Sequence, residues 1–158
     1  MPLATIRTAI KNKLLGVAGI GKVYDYERFA VREKEFQDLY KDATSGRILG
    51  WNFYRESTVE EDLNNAEVRR LHSWRITGFE GLDDVDATGK TFDDLVESIA
   101  AAFRADPTLA GVVIANKDLN QEFGPSGIQV EGIEPVMFAG VLCHRARLKL
   151  ITETTEAV

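Results

Sequence analysis

One cysteine, Cys143, and two histidines, His72 and His144, are all the thiol and imidazole side chains in 158 residues. A lone cysteine excludes a disulfide framework and any metal knuckle built on paired cysteines. Long apolar runs are also missing. The longest nearly apolar stretch, Val136 to Cys143, falls far short of the ~20 residues a membrane-spanning helix needs. The start Met1-Pro2-Leu3-Ala4-Thr5 soon meets Arg7 and Lys11, without the apolar core of a signal peptide. No Asn-x-Ser/Thr acceptor occurs, and the expected compartment is reducing and cytosol-like. Cations are in deficit, 19 Lys and Arg against 25 Asp and Glu, for a formal charge of -6. That balance argues against a general nucleic-acid binder, which needs clustered cations to neutralise phosphates.

What is present suits a globular protein: 44% hydrophobic and 28% charged residues, enough to bury a core without staples. Residues 1–158 read as a single domain with no internal repeat. Leu3, Ile6, Ile10 and Leu14 fall at helical spacing and Gly16, Gly19 and Gly21 follow, which predicts an amphipathic helix closed by glycine. Lys22 to Tyr26 predicts a short strand. Residues 27–66 read as a long irregular insertion: 27–46, anchored by Phe29, Phe36, Leu39 and Tyr40, as an ordered loop or a short helix, followed by one strand, Ile48 to Arg55. Its acidic end, Ser57 to Asn65, reads as an exposed and mobile connection.

Val68 to Phe79 predicts a strand with Trp74 and Ile76 on one face and Arg69, Leu71, Arg75 and Phe79 on the other. An acidic loop from Gly81 to Lys90 leads to a helix capped by Thr91 and lined by Phe92, Leu95, Val96, Ile99, Ala100 and Phe103. A short strand Val112 to Ile114, a loop Asn116 to Pro125, and two strands, Gly127–Ile133 and Phe138–Ile151, joined around Glu134-Pro135, complete the chain. Residues 153–158 read as a flexible tail. In the last strand Phe138, Leu142, Ala146, Leu148 and Leu150 face one way, and Arg145, Arg147 and Lys149 the other. The fold class expected is α+β: a mostly antiparallel sheet with two helices packed on one face.

The loop Asp83-Asp84-Val85-Asp86-Ala87-Thr88-Gly89-Lys90-Thr91 approaches three chemical patterns and completes none. A phosphate-binding loop requires glycine five residues before Gly89, where Asp84 stands. A calcium loop opened by Asp84 and Asp86 requires a bidentate Glu at its twelfth position, where Leu95 stands. The aspartyl nucleophile motif of haloacid-dehalogenase-like phosphatases follows a buried apolar strand, whereas Gly81 and Asp83 precede this one. His72 and His144 fall in strands and could be neighbours across the sheet, but no third ligand accompanies them. Cys143 and His144 are adjacent in a strand and so point to opposite faces. No catalytic residue, cofactor or metal is expected. The charged segments read instead in one of two ways: as a solvated strand face, or as contacts between copies, with Arg145, Arg147 and Lys149 against acidic patches at Asp83, Asp84 and Asp86 or at Glu60 and Glu61.

The start Ile6-Arg7-Thr8-Ala9-Ile10 with Leu14 and Leu15, the strand Trp74–Phe79, the helix Thr91–Ala105 and the closing strands Gly127–Ile133 and Phe138–Ile151 resemble, in order and length, the tail-terminator proteins of long-tailed bacteriophages. Tail-tube and head–tail connector proteins share related folds. The resemblance implies a structural virion protein, assembled in the host cytoplasm. It implies a hexameric ring of identical subunits that caps the head-proximal end of the tail tube and stops its polymerisation. The ring would meet the tail-tube protein on one side and the head–tail connector on the other. DNA would pass through without sequence-specific binding, with no membrane involved. Two alternatives stand beside it: another connector or tube-like subunit, or a small α+β enzyme or ligand-binding domain using the Asp83–Asp86 loop and a histidine.

Overall fold

A computed structural model describes residues 2–114 and 127–158; the loop expected at Asn116 to Pro125 lies outside the described residues. The element order is α1 (Leu3–Leu15), β1 (Lys22–Tyr24), α2 (Glu33–Tyr40), β2 (Leu49–Asn64), β3 (Glu67–Gly81), α3 (Thr88–Ala105), β4 (Gln129–Phe138) and β5 (Val141–Ala157). The strands form one sheet in the order β1-β2-β3-β5-β4. β1 runs parallel to β2, and the other pairs are antiparallel. The fold is α+β, as the sequence pattern predicts.

Side-chain alternation along the strands decides which helix lies where. One face of the sheet, face A, carries Trp51 and Phe53 from β2, Trp74 and Ile76 from β3, and Ala146, Leu148 and Leu150 from β5. α1 covers it with Ile6, Ile10 and Leu14, and α3 with Phe92, Val96, Ile99 and Phe103, all in one buried cluster. The opposite face, face B, is covered by the described residues only at one end. There α2 packs Phe36, Leu39 and Tyr40 onto Phe79, Phe138 and Cys143. The Phe36, Tyr40 and Phe79 rings all meet the ring of Phe138. The expected pair of helices on one face is present, and this third helix sits across the sheet from them.

Ile99 and Phe103 are fully buried, so truncating either to Ala removes its burial and leaves a cavity. Each change is expected to cost about 2–5 kcal/mol, read as a lowered denaturation midpoint. An unchanged melting temperature for both would contradict the assignment of this face to the core.

Several boundaries differ from the expectation. The acidic stretch Ser57–Asn65 is no mobile connection: its first eight residues complete β2, paired with β3 from Ser57↔Ser73 to Asn64↔Glu67. Carboxylates are poor strand formers alone, but here Glu60 stands opposite Arg70 and Glu61 opposite Arg69, 3.1 and 2.9 Å apart. Cross-strand ion pairs compensate for weak propensity. With α2 added, most of 33–64 is regular. The flexible tail at 153–158 is likewise corrected. β5 continues to Ala157, Glu153 and Thr154 are buried, and the Val158 amide donates to the Ala66 carbonyl.

The closing hairpin turns at Ala139-Gly140, not at Glu134-Pro135. Both turn residues have positive φ, 48° and 78°, the geometry that matches strand twist in two-residue hairpins. Pro135 lies inside β4, where it is tolerated because β4 is, among the described residues, an edge strand with no ladder on its outer side. Val112 to Ile114 is a turn rather than a strand, tied to β5 by the Ile114 amide and the Glu153 carbonyl. α3 begins a turn early, at Thr88, which leaves Thr91 inside the helix, bonded to the Thr88 carbonyl.

Candidate functional site

The acidic loop is held by two anchors. Arg47, on the approach to β2, reaches both Asp83, at 3.2 Å, and Asp86. The Thr88 hydroxyl accepts from the Asp83 amide at 2.9 Å and lies 2.9 Å from His144 Nε2. His144 in turn stacks on Phe92 of α3. Ala87, at φ 52°, turns the chain into the helix. These contacts serve the helix start. Thr88 is buried, its partner in Asp83 is the backbone, and the Asp83 carboxylate is committed to Arg47. Gly89, Lys90 and Thr91 lie within the first turn of α3, so they form no phosphate-wrapping loop. Among the described residues no group of three or more His, Cys, Asp or Glu side chains could hold a metal.

The histidines are not neighbours. His72 stands opposite Thr152 and His144 opposite Glu80, eight residues apart on β3, or about 27 Å at strand rise. Strand register sets this separation, and side-chain pattern alone does not reveal register. Cys143 and His144 do face opposite ways. Cys143 is buried beneath α2, and burial pushes its thiol up to about 11, so at neutral pH it is an unreactive thiol.

His72 is almost wholly buried, with Nδ1 2.9 Å from the Thr58 hydroxyl. Burial, reinforced by the charges of Arg70 and Arg55 and opposed by Glu156, lowers its pKa from 6.5 to about 4. Because the folded value is depressed, stability is complete above pH 6.5. It falls as the pH drops toward 4, where the unfolded chain takes up a proton that the fold refuses. The expected loss from this group is about 3 kcal/mol between pH 7 and pH 4. Denaturant titrations of the natural protein and of His72→Gln across that range test it. The two stability curves should converge in slope above pH 6.5 and differ by about one proton below it; parallel curves throughout would contradict the assignment.

On face B, Arg145, Arg147 and Lys149 of β5 do form the expected stripe, but the acids that answer it are in the same chain. Arg145 bonds Glu134, and Arg147 approaches Glu131 at 3.8 Å. Glu131 also accepts from Arg75 at 2.5 Å, and Arg75 reaches Glu56 at 3.3 Å. The Arg75 hydrogen bond, with the nearby charges of Arg75, Lys149 and Arg147, holds the Glu131 carboxyl below its ordinary range. The result is a charge ladder across β2, β3, β5 and β4. Asp83, Asp84 and Asp86 sit at the start of α3, and Glu60 and Glu61 far along the β2–β3 hairpin. The fold does not bring the three charged groups together.

Two apolar surfaces escape the sequence pattern. Tyr26, Phe29 and Val31 lie exposed in the connection between β1 and α2, with Phe29 75% exposed; it is no anchor, unlike Phe36 and Tyr40. Val130, Ile133 and Met137 of β4, with Leu142 of β5, are exposed along the sheet edge. They pair with Leu148, Ala146 and one another, which places them on face A beyond its helical cover. A cleft of about 510 Å³ between α1 and the turn after α3 is lined largely by Ala, Thr and Leu side chains and closed at one side by the Lys13–Asp106 pair. No helix among the described residues is long and apolar enough to cross a membrane. No protein-family model matches the sequence, and no curated protein matches it.

Proposed function

We propose that the chain is a structural subunit of a bacteriophage tail, a tail terminator that closes into a homomeric ring, expected to be hexameric, at the head-proximal end of the tail tube. Its work is done by surfaces: one toward the tube protein, one toward the head–tail connector, and a central opening that DNA crosses. It would act in the virion after assembly in the host cytoplasm. The order of helix, sheet, long crossing helix and closing hairpin supports the reading.

The observation that carries it is the three-stranded ribbon formed by the far halves of β2, β3 and β5. β1 pairs with β2 only at Gly50–Asn52, and β4 follows β5 only as far as Lys149. Among the described residues the ribbon therefore runs on beyond both neighbours with its outer edges largely unladdered. Such edges are normally blunted or covered, and neighbouring subunits would cover them here. In the catalytic alternative, the Asp83 and Asp86 carboxylates would have to leave Arg47 before they could act.

Negative-stain images and native mass of the concentrated protein separate these readings. Six-fold rings support the subunit. Turnover of a nucleotide or phosphoester that is lost in Asp84→Asn would overturn it.

A further inference from the structure

We infer that two copies of this chain meet head to tail, with the cationic flank of α1 in one copy lying along the acidic flank of α3 in the next. The inference rests on the assembly reading above and assigns its surfaces. Residues 1–24 carry Arg7, Lys11, Lys13 and Lys22 and no carboxylate. Lys13 is paired with Asp106 at 2.8 Å, and Lys22 donates to the Asp38 carbonyl at 3.2 Å. Arg7 and Lys11 have no carboxylate partner among the described residues. They stand one turn apart, about 6 Å along the helix axis. On α3, Asp93 and Glu97 have the same spacing, are exposed, and are likewise not ion-paired among the described residues. Lys90 and Arg104 bracket these acids along the helix without pairing with them.

Packing places the two rows at opposite edges of the sheet. Thr5, Ala9 and Lys13 of α1 line the cleft against the turn after α3, and that turn is tied to β5 by the Ile114 amide. At about 100° per residue, Arg7 and Lys11 lie on the other flank of α1, toward β1 and β2, beside exposed Ala4 and Leu15. α3 turns Thr91, Leu95 and Ser98 toward the loop after α1. A Cβ at Gly89, one turn before Asp93, would lie 3.7 Å from the His144 ring of β5. Asp93 and Glu97 therefore lie on the β5 side of α3, and beyond them the exposed Val130, Ile133 and Met137 of β4 share face A.

In the order β1-β2-β3-β5-β4 these are the two ends of one sheet, so a single chain cannot join them. A second copy placed edge to edge does. It sets Arg7 and Lys11 against Asp93 and Glu97, and Ala4 and Leu15 beside the apolar strip. It also covers the outer edge of β2, which β1 leaves open beyond Asn52. Repetition of this heterologous contact gives a ring when the rotation closes.

The test is a charge swap between separately prepared proteins, one carrying Arg7→Glu with Lys11→Glu and the other Asp93→Lys with Glu97→Lys. None of the four positions is buried, so circular dichroism should match the natural protein. A milder pair, Arg7→Gln with Lys11→Gln, should weaken assembly in the same direction. Each reversed protein alone should need at least about tenfold more protein to form rings, by native mass and negative stain. An equimolar mixture should restore them, because α1 of each protein then meets α3 of the other with opposite charge. Undiminished ring formation by either reversed protein, or an inert mixture, would overturn the contact and leave the subunit reading standing. A mixture that stops at dimers would overturn the head-to-tail arrangement. So would a DNA duplex that the natural protein retains and the Arg7, Lys11 reversal releases while rings persist, since the flank would then serve phosphates. A natural protein that forms no rings would reject the contact and the subunit reading together.

Discussion

Trp74→Ala is expected to lower the stability of the fold by about 3–5 kcal/mol. Trp74 is fully buried at the middle of β3, between Arg55 of β2 and Leu150 of β5. Its ring meets Phe53 edge-on at 6.1 Å, and its indole N–H donates to Thr152 Oγ1 at 2.9 Å. Truncation opens a cavity under both helices. It also strands the Thr152 hydroxyl, which is itself fully buried and would lack that donor. Domains of this size have about 5–15 kcal/mol in total, so this one change removes a large share. Trp74→Phe keeps most of the volume and loses only the donor, for about 1–3 kcal/mol. Denaturant midpoints should fall in the order natural, Phe, Ala. Equal midpoints for Phe and Ala would show that the hydrogen bond, not the packed volume, dominates.

Gly78→Val is expected to be at least as disruptive, through crowding. Gly78 stands opposite Trp51 in the β2–β3 register, and a Cβ added there would lie inside the van der Waals envelope of the Trp51 ring. That ring has no room to retreat, since it is fully buried and stacked on Phe92 of α3 at 5.8 Å. Overpacking costs about 1–3 kcal/mol for small insertions and more when a rigid ring must move. Gly78→Ala marks the lower end of that range and Gly78→Val exceeds it. Gly132, where an added Cβ would meet only open space, is the control: Gly132→Ala should change stability little. A double-mutant cycle of Gly78→Ala with Trp51→Leu should show rescue, because the smaller side chain vacates the space. Additive losses would mean that the two residues do not compete for it.

The two helices on face A, α1 and α3, and the central strand are legible in the sequence because burial on one face leaves a period there. Ile6, Ile10 and Leu14, and Phe92, Val96, Ile99 and Phe103, are the residues that pack face A. The far half of β2 is not legible, because its strand character comes from Arg69 and Arg70 on β3 rather than from its own acids. The hairpin turn is masked by Pro135, which signals a turn in isolation and is harmless on an edge strand. Phe29 reads as an anchor in a charged segment, and only the path of the chain shows it projecting. The charged residues at 145, 147 and 149 are visible as one stripe from their alternation. Their partners, Glu131 and Glu134, become apparent only once β4 is set beside β5.

The central claim is that this chain works as a ring at one end of a tail, and its most direct test is an image of assembled phage particles carrying a label on this chain. The account predicts label confined to the head-proximal end of each tail, at the junction with the head connector. Label distributed along the tube, or particles with none, would contradict it.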